Sequence, residues 1–573
     1  MKLRDGHLQI TCPCCIKCVR RKFIAKFLWD SRSIIGALLW FIFIHFGAAI
    51  LTIRLVPFLI ALIGFWAGFA FSEPDNLVEQ GRRIYQLGVL PDGSALASVG
   101  AAGTAVSGQR AACVSCHRRS GMGGREGGRL IAPITGPILF AKAVPYWPVR
   151  PNRPTPPVTP MRQDSRSAYD STTLVQAIRE GIDPDGNALS ELMPRFQLDA
   201  LASKALVAYL QQLSAAPAPG LSPQMLQLAT IITPDADSSR SKTVVETLTA
   251  WAKGGALGGM PINFQVWRLE GNSSTWGEQL ERFYKQQQPF AVISGAGGAQ
   301  WKPVSDFCER TGTPCLFPVV DLAQNDDTKF YSLYFSTGVP LEAQLLHGYL
   351  ETLSPKPRRI IQLVGSFAGE SAATQLAESL PAMSMETRRW STNLLAQLIS
   401  DLQPDDLLIG WLSTAQLQAL SAAVPQVPQG SQVIFSAQLA PPDKTNLPVA
   451  WRERARWISA RSDPTRRHGN AVIGLVPWAQ HLQLPLDDEA LMADIYAATY
   501  YFGDALARMR GRWNREYLIE TLENADYRRA VGGAYYLLSM AAGQREAAKS
   551  GHIQGFVAPD YQRIQPIGDR LVP

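Results

Sequence analysis

The chain has 573 residues, enough for three or four domains. Hydrophobic residues make up 46% and charged residues 18%, a globular balance that excludes a long disordered protein. The net charge of +7 sits almost wholly in residues 1–32, where eight Lys or Arg face Asp5 and Asp30, so no basic nucleic-acid-binding body is expected.

Behind this basic tail (residues 1–33) comes an apolar segment, 34–72, whose formal charge is Arg54 alone. Residues 34–53 have about the length that spans a bilayer as a helix. The tail would then stay cytoplasmic by the positive-inside rule. A second run, 55–71, follows directly. If both crossed, the chain would return to the cytoplasm, so one crossing at most is expected. Either 34–53 anchors the protein in a bacterial inner membrane, facing the periplasm, or 51–72 is a secretory signal cleaved near Ser72. In the second case the protein is soluble in the periplasm, and residues 1–50 need not be made. Cys12, Cys14, Cys15 and Cys18 in the tail read as reduced cytoplasmic thiols rather than a zinc site.

A helix is predicted over 76–87, with Leu77, Ile84 and Tyr85 on its apolar side. Residues 88–112, rich in Gly, Ala and Ser, read as loop. Cys113-Val-Ser-Cys116-His117 follows. The seven prolines of 145–160 predict an extended loop. Helices are predicted over 171–180, stopped by Gly181, and over 198–213. Residues 215–223 form a linker by composition. Beyond it, apolar runs alternate with amphipathic stretches of helical length. The strands are 228–232, 290–294, 315–320, 359–364, 406–412 and 432–436. The helices are 241–253, 275–287, 301–311, 340–353, 370–380, 391–402 and 414–423, then 488–509 and 514–524. This alternation predicts an α/β fold with two lobes, each an open parallel sheet.

Two thiols spaced by two residues can add to the vinyl groups of one haem, and the next His then ligates the iron. Cys113, Cys116 and His117 are therefore the candidate site for one covalent haem c. Its sixth ligand is sought among Met122, Met161 and Met193. Met122 is close behind His117 and Met161 lies in the Pro-rich loop. Met193 precedes Pro194 and the last helix, and is the choice. Residues 73–214 resemble a class I c-type cytochrome. The resemblance rests on Gly81 and Tyr85, the Cys-x-x-Cys-His motif, Met193-Pro194 and Leu206-Val-Ala-Tyr-Leu210. It implies an all-α cytochrome domain that carries electrons between redox partner proteins.

Residues 224–573 resemble the type I periplasmic binding proteins, the fold of branched-chain amino-acid receptors. The carriers are Phe290-Ala-Val-Ile-Ser-Gly-Ala-Gly-Gly298, Gly312-Thr-Pro-Cys-Leu-Phe-Pro318 and Arg359-Ile-Ile-Gln-Leu-Val-Gly365. The resemblance implies a cleft for a small-molecule solute. Ligands in open α/β sheets sit beyond the carboxyl ends of strands, which nominates Asp235, Ser238, Ser294, Gly295, Asp321, Ser366 and Ser413. Cys308 and Cys315, near a helix end and a strand start, are placed to form a disulfide. Gly369-Glu-Ser-Ala-Ala373 lacks the second Gly of an esterase elbow and reads as a helix start. No catalytic residue is assigned. The expected protein is a membrane-tethered, mono-haem electron carrier fused to a solute-binding-like domain. The alternative is a solute receptor or sensor whose haem reports redox state or a gas.

Overall fold

The computed structural model describes residues 73–573 apart from 127–128, 144–164, 258, 324–327, 395–400, 425, 428–429, 464–472, 525–533 and 537. By its internal contacts the chain divides into Met1–Glu79 and Gln80–Pro573. In the first unit the described residues, Glu73–Glu79, belong to a helix that runs on to Leu87.

The N-terminal part contains α1 (Glu73–Leu87), β1 (Ala97–Val99), β2 (Ala105–Ser107), α2 (Val114–His117), α3 (Ser171–Glu180), β3 (Arg195–Gln197) and α4 (Ala200–Gln212). Ile84 and Tyr85 are buried, and the Tyr85 ring lies 5.2 Å from that of Tyr209 on α4. Gly81 permits the crossing, because a Cβ there would lie 2.0 Å from the Ala205 carbonyl oxygen. Local chemistry sets the bounds of α3. Asp170 caps it by accepting from the Thr173 N–H at 2.8 Å, and Thr173 Oγ1 accepts from the Asp170 N–H at 2.9 Å. Gly181 ends it in the left-handed region at φ 77°.

The expectation of an all-α domain is corrected here. The stretch predicted as loop contains β1 and β2, and β1 pairs antiparallel with both β2 and β3. Residues Gly124–Glu126 and Arg129–Ile131 form a second small hairpin. The second partner of β1, β3, lies almost a hundred residues away, just behind Met193, so no local pattern announces that pairing.

In the first lobe β4 (Met225–Ile232), α5 (Ser238–Gly254), β5 (Met260–Arg268), α6 (Trp276–Gln286), β6 (Ala291–Ile293), α7 (Lys302–Thr311), β7 (Cys315–Leu316) and β8 (Ser332–Leu333) follow one another. The parallel order is β8-β7-β6-β4-β5. Cys308 and Cys315 are disulfide-bonded, with Cα atoms 6.1 Å apart, and tie α7 to β7. α8 (Val339–Thr352) then leads into the second lobe.

That lobe holds β9 (Arg359–Val364), α9 (Phe367–Ser379), β10 (Met385–Arg389), β11 (Asp406–Trp411), α10 (Thr414–Ala423), β12 (Gln432–Ser436) and β13 (Ala455–Ser459). α11 (Glu489–Met509) and α12 (Arg515–Glu523) return to the first lobe, where α11 packs on α5. β14 (Gly551–Phe556) and β15 (Ile564–Leu571) close the second sheet, whose order is β10-β9-β11-β12-β13-β14-β15. Its first five strands are parallel and the last two antiparallel. Among the described residues of this lobe Trp411, Trp451 and Trp457 are fully buried, and Trp411 Nε1 donates to Gln362 Oε1 at 2.9 Å. Such large side chains dominate core energetics once the ring N–H is satisfied. The helix expected over 391–402 falls for its central part, 395–400, outside the described residues; before it Thr392–Leu394 form a 3-10 turn.

The membrane reading is also corrected. Among the described residues no helix is long and apolar enough to cross a membrane. No described helix carries the inner-membrane location or the N-terminal anchor read from the sequence. The segment it was read from, 34–72, lies outside the described residues, as do Cys12, Cys14, Cys15 and Cys18.

Candidate functional site

In the first sheet the chain runs from β4 to β5 on one side and then to β6 on the other. The crevice at such a reversal opens at the strands' carboxyl ends. Asp235 stands there, two residues past Thr233. Its carboxylate accepts from the Gly298 N–H at 3.2 Å, the Gln300 N–H at 2.9 Å and Thr233 Oγ1 at 2.5 Å. A Cβ on Gly298 would lie 2.4 Å from the Asp235 carbonyl oxygen, so this approach requires glycine. In the second sheet the reversal lies between β9 and β11, and Ser366 and Ser413 follow those strands. Both are N-caps: Ser366 Oγ accepts from the Gly369 N–H at 3.1 Å and Ser413 Oγ from the Gln416 N–H at 3.3 Å. Gln416 Oε1 accepts in return from the Ser413 N–H at 3.0 Å, completing a capping box.

Both reversals face one cavity of about 690 Å³. Of the cleft residues read from the sequence, Asp235, Asp321, Ser366 and Ser413 line it, and Ser238, Ser294 and Gly295 do not. Ser238 is exposed at the start of α5, and its neighbour Ser239 reaches the cavity instead. Past β6 the backbone goes on pairing. The Ser294 N–H donates to the Leu316 carbonyl at 2.8 Å and the Ala296 N–H to the Ile231 carbonyl at 3.0 Å. That pairing buries Ser294 and Gly295 beneath the cleft, with Gly295 against Trp301.

The lining cations are all engaged. Arg240 pairs with Asp321 at 2.8 Å and donates to the Gly297 carbonyl at 3.1 Å. Arg461 pairs with the buried Asp494 at 2.6 Å, and Lys444 pairs with Asp488. Burial opposes ionisation of Asp488, but Lys444 and the Leu491 N–H outweigh it and hold the carboxyl below its ordinary range. Gln438 links the lobes: its Nε2 donates to Asp321 Oδ1 and to the Val320 carbonyl, both at 3.2 Å. Behind it the buried Glu342 accepts from the Gln438 N–H at 2.9 Å and from Ser436 Oγ at 2.5 Å. Arg240, Gln438, Arg461 and Glu342 escape a reading of the sequence, because they lie in a helix or in connecting chain without a motif.

The other candidate site is one turn of helix. Cys113 caps α2, which carries Cys116 and ends on His117, and both cysteines are reduced thiols. His117 Nδ1 lies 2.9 Å from the Ala132 carbonyl oxygen. A carbonyl can only accept, so Nδ1 carries the proton and Nε2 presents a lone pair, as a metal-ligating histidine requires. Burial lowers the pKa of His117, against that hydrogen bond, and keeps the ring neutral. Burial also pushes the Cys113 thiol up to about 12. Tyr85 Oη donates to the Arg118 carbonyl at 2.7 Å and supports the turn that follows. These residues fit a thioether-bound haem. Met193 is half-buried on a separate turn, its N–H donating to the Ser190 carbonyl at 3.1 Å and its carbonyl accepting from Arg195 Nη1 at 2.5 Å. Met122 is half-buried beside Ser120, and Met161 lies outside the described residues.

No family model matches the chain, and no curated protein matches it. Solved structures are similar to its larger part. A leucine-binding protein from Thermotoga maritima is 13% identical, covering 61% of this chain and 99% of its own, with a TM-score of 0.46. A branched-chain amino acid ABC transporter protein from Thermus thermophilus with bound valine is 12% identical over 62% and 98%, with a TM-score of 0.49. A fatty acid ABC transporter substrate-binding protein from Thermomonospora curvata is 14% identical over 62% and 95%, with a TM-score of 0.45. The two-lobed architecture stands on the strand order itself.

The description of the whole protein as an electron-carrying, metal-binding cytochrome is corrected. Its larger part is the cleft-bearing module. Among the described residues no group of three or more His, Cys, Asp and Glu is placed to hold a metal ion.

Proposed function

We propose that the chain is a solute-binding protein that takes up a small molecule in its interlobe cleft. The observation that carries this reading is the convergence of both switch points on the one cavity of about 690 Å³. Asp235, held by backbone N–H groups, and the capped helix starts at Ser366 and Ser413 present fixed polar groups there. Ala437, Leu439 and Leu491 supply apolar wall.

Within this reading, one covalent haem c is assigned to Cys113 and Cys116, with His117 and Met193 as axial ligands. Bound there, it would exchange single electrons with an outside redox partner and report redox state to the binding module. The chain's own residues fix the site: Ala132 sets the His117 tautomer and Tyr85 supports the turn behind it.

A thermal-shift panel of amino acids, fatty acids and polyols tests the first claim. One class is expected to raise Tm, and Asp235→Ala should abolish the rise by freeing the Gly298 and Gln300 N–H groups. A panel with no response at millimolar concentrations speaks against solute binding. For the second claim, haem-dependent peroxidase staining after denaturing electrophoresis should vanish in Cys113→Ala/Cys116→Ala. Met193→Ala should lower the reduction potential and remove the sulfur-to-iron absorption band. A band that survives gives the ligand position to another residue.

A further inference from the structure

The 118–120 segment, directly behind His117, is fixed to the binding module at three points. The Ser120 N–H donates to Glu520 Oε1 at 2.9 Å, and Ser120 Oγ bonds the other oxygen of the same carboxylate. The Ser120 carbonyl accepts from Ser214 Oγ at 2.8 Å, and that oxygen accepts from Asn514 Nδ2 at 3.1 Å. Arg119 lies over the Phe330 ring, 4.3 Å from its centroid. Glu520 is on α12, which packs on α11, and the start of α11 lines the cleft.

We propose that Glu520 is a proton-linked positioning residue through which the binding module tunes the Cys113–His117 site. The inference rests on the haem assignment above. Glu520 is 3% exposed. Burial raises its carboxyl to about 7, with the Ser120 hydrogen bonds opposing. The charged and titratable groups around it are Arg118 and Tyr85 from the N-terminal part and Tyr517 and Glu523 from its own helix. Glu523 is paired with Arg545. Arg118 is the cation whose charge opposes that rise.

The coupled step balances as follows. With a haem held by Cys113, Cys116 and His117, reduction by one electron from an electrode mediator would be accompanied by uptake of one proton from bulk water at a Glu520 carboxylate oxygen, and oxidation would return both. An ionised Glu520 disfavours the added electron, so the potential should fall as pH rises through about 7.

Spectroelectrochemical titration of the full haem-bearing protein from about pH 5.5 to 8.5 tests this. The wild type is expected to show the fall and Glu520→Gln to lose it, with a carboxyl band vanishing from redox-difference infrared spectra. Ser120→Ala removes one hydrogen bond to the ionised form and should move the window to higher pH. It also serves if Glu520→Gln does not fold. A wild-type potential flat with pH overturns the proposal. So does a slope that Glu520→Gln leaves intact, or a window that Ser120→Ala leaves in place. Protein that stains for no haem overturns the haem assignment together with it.

Discussion

Arg545→Met is expected to destabilise the protein by about 3–5 kcal/mol in urea unfolding, the range for breaking a buried ion pair from one side. Arg545 pairs with Glu523 and donates to the Phe330 carbonyl at 2.7 Å. Both side chains of the pair are almost fully buried, so the substitution strands a carboxylate away from water. The position also matters for the lobes. The Tyr334 N–H donates to the Arg545 carbonyl at 2.8 Å, and the Ala547 N–H returns a bond to the Tyr334 carbonyl at 3.0 Å. Two crossings between lobes, near 334 and near 545, are thus laced together by backbone. The double variant Glu523→Gln/Arg545→Met should recover much of the loss, because the stranded charge goes with its partner. A single variant within about 1 kcal/mol of wild type would show that water reaches the pair.

The helices were legible because their ends carry local chemistry. Ser413 with Gln416 and Asp170 with Thr173 are capping boxes spelled out within four residues, and Gly181 and Gly312 stop their helices in the left-handed region. The buried strands β11 and β12 were legible as apolar runs, and β9 as one interrupted at Gln362 alone. β5 was not: Pro261, Asn263 and Gln265 interrupt it, because its side chains are only partly buried. β15 is a half-exposed edge strand with the same difficulty. In the site, Asp235, Ser366 and Ser413 were found because a strand's carboxyl end is a place that sequence can name. Ser294 and Gly295 met the same rule and failed it, since continued pairing beyond β6 turned them inward. Arg461 was beyond reach, as its partner Asp494 lies on α11, a helix packed on α5 of the first lobe.

Glu342 offers the clearest dependence on pH. It lies on α8, where the chain passes between lobes, and its side chain is buried. Burial pushes its carboxyl up to about 8, against the Ser436 and Gln438 hydrogen bonds and the charge of Arg461. The unfolded chain keeps the ordinary value of 4.5. The folded state therefore holds its proton over a window where the unfolded state has lost it. The stabilisation is complete below about pH 4.5 and declines as pH rises toward 8, by about 1.4 kcal/mol for each pKa unit of separation. Glu342→Gln keeps the neutral shape without the titration. Unfolding free energies of the two proteins should be close at about pH 5. At about pH 9 the variant should be the more stable by a few kcal/mol. A difference that does not change between those pH values would mean the carboxyl ionises at no cost. The buried link from Glu342 through Gln438 to Asp321 would then have to be wetter than the packing of α8 allows.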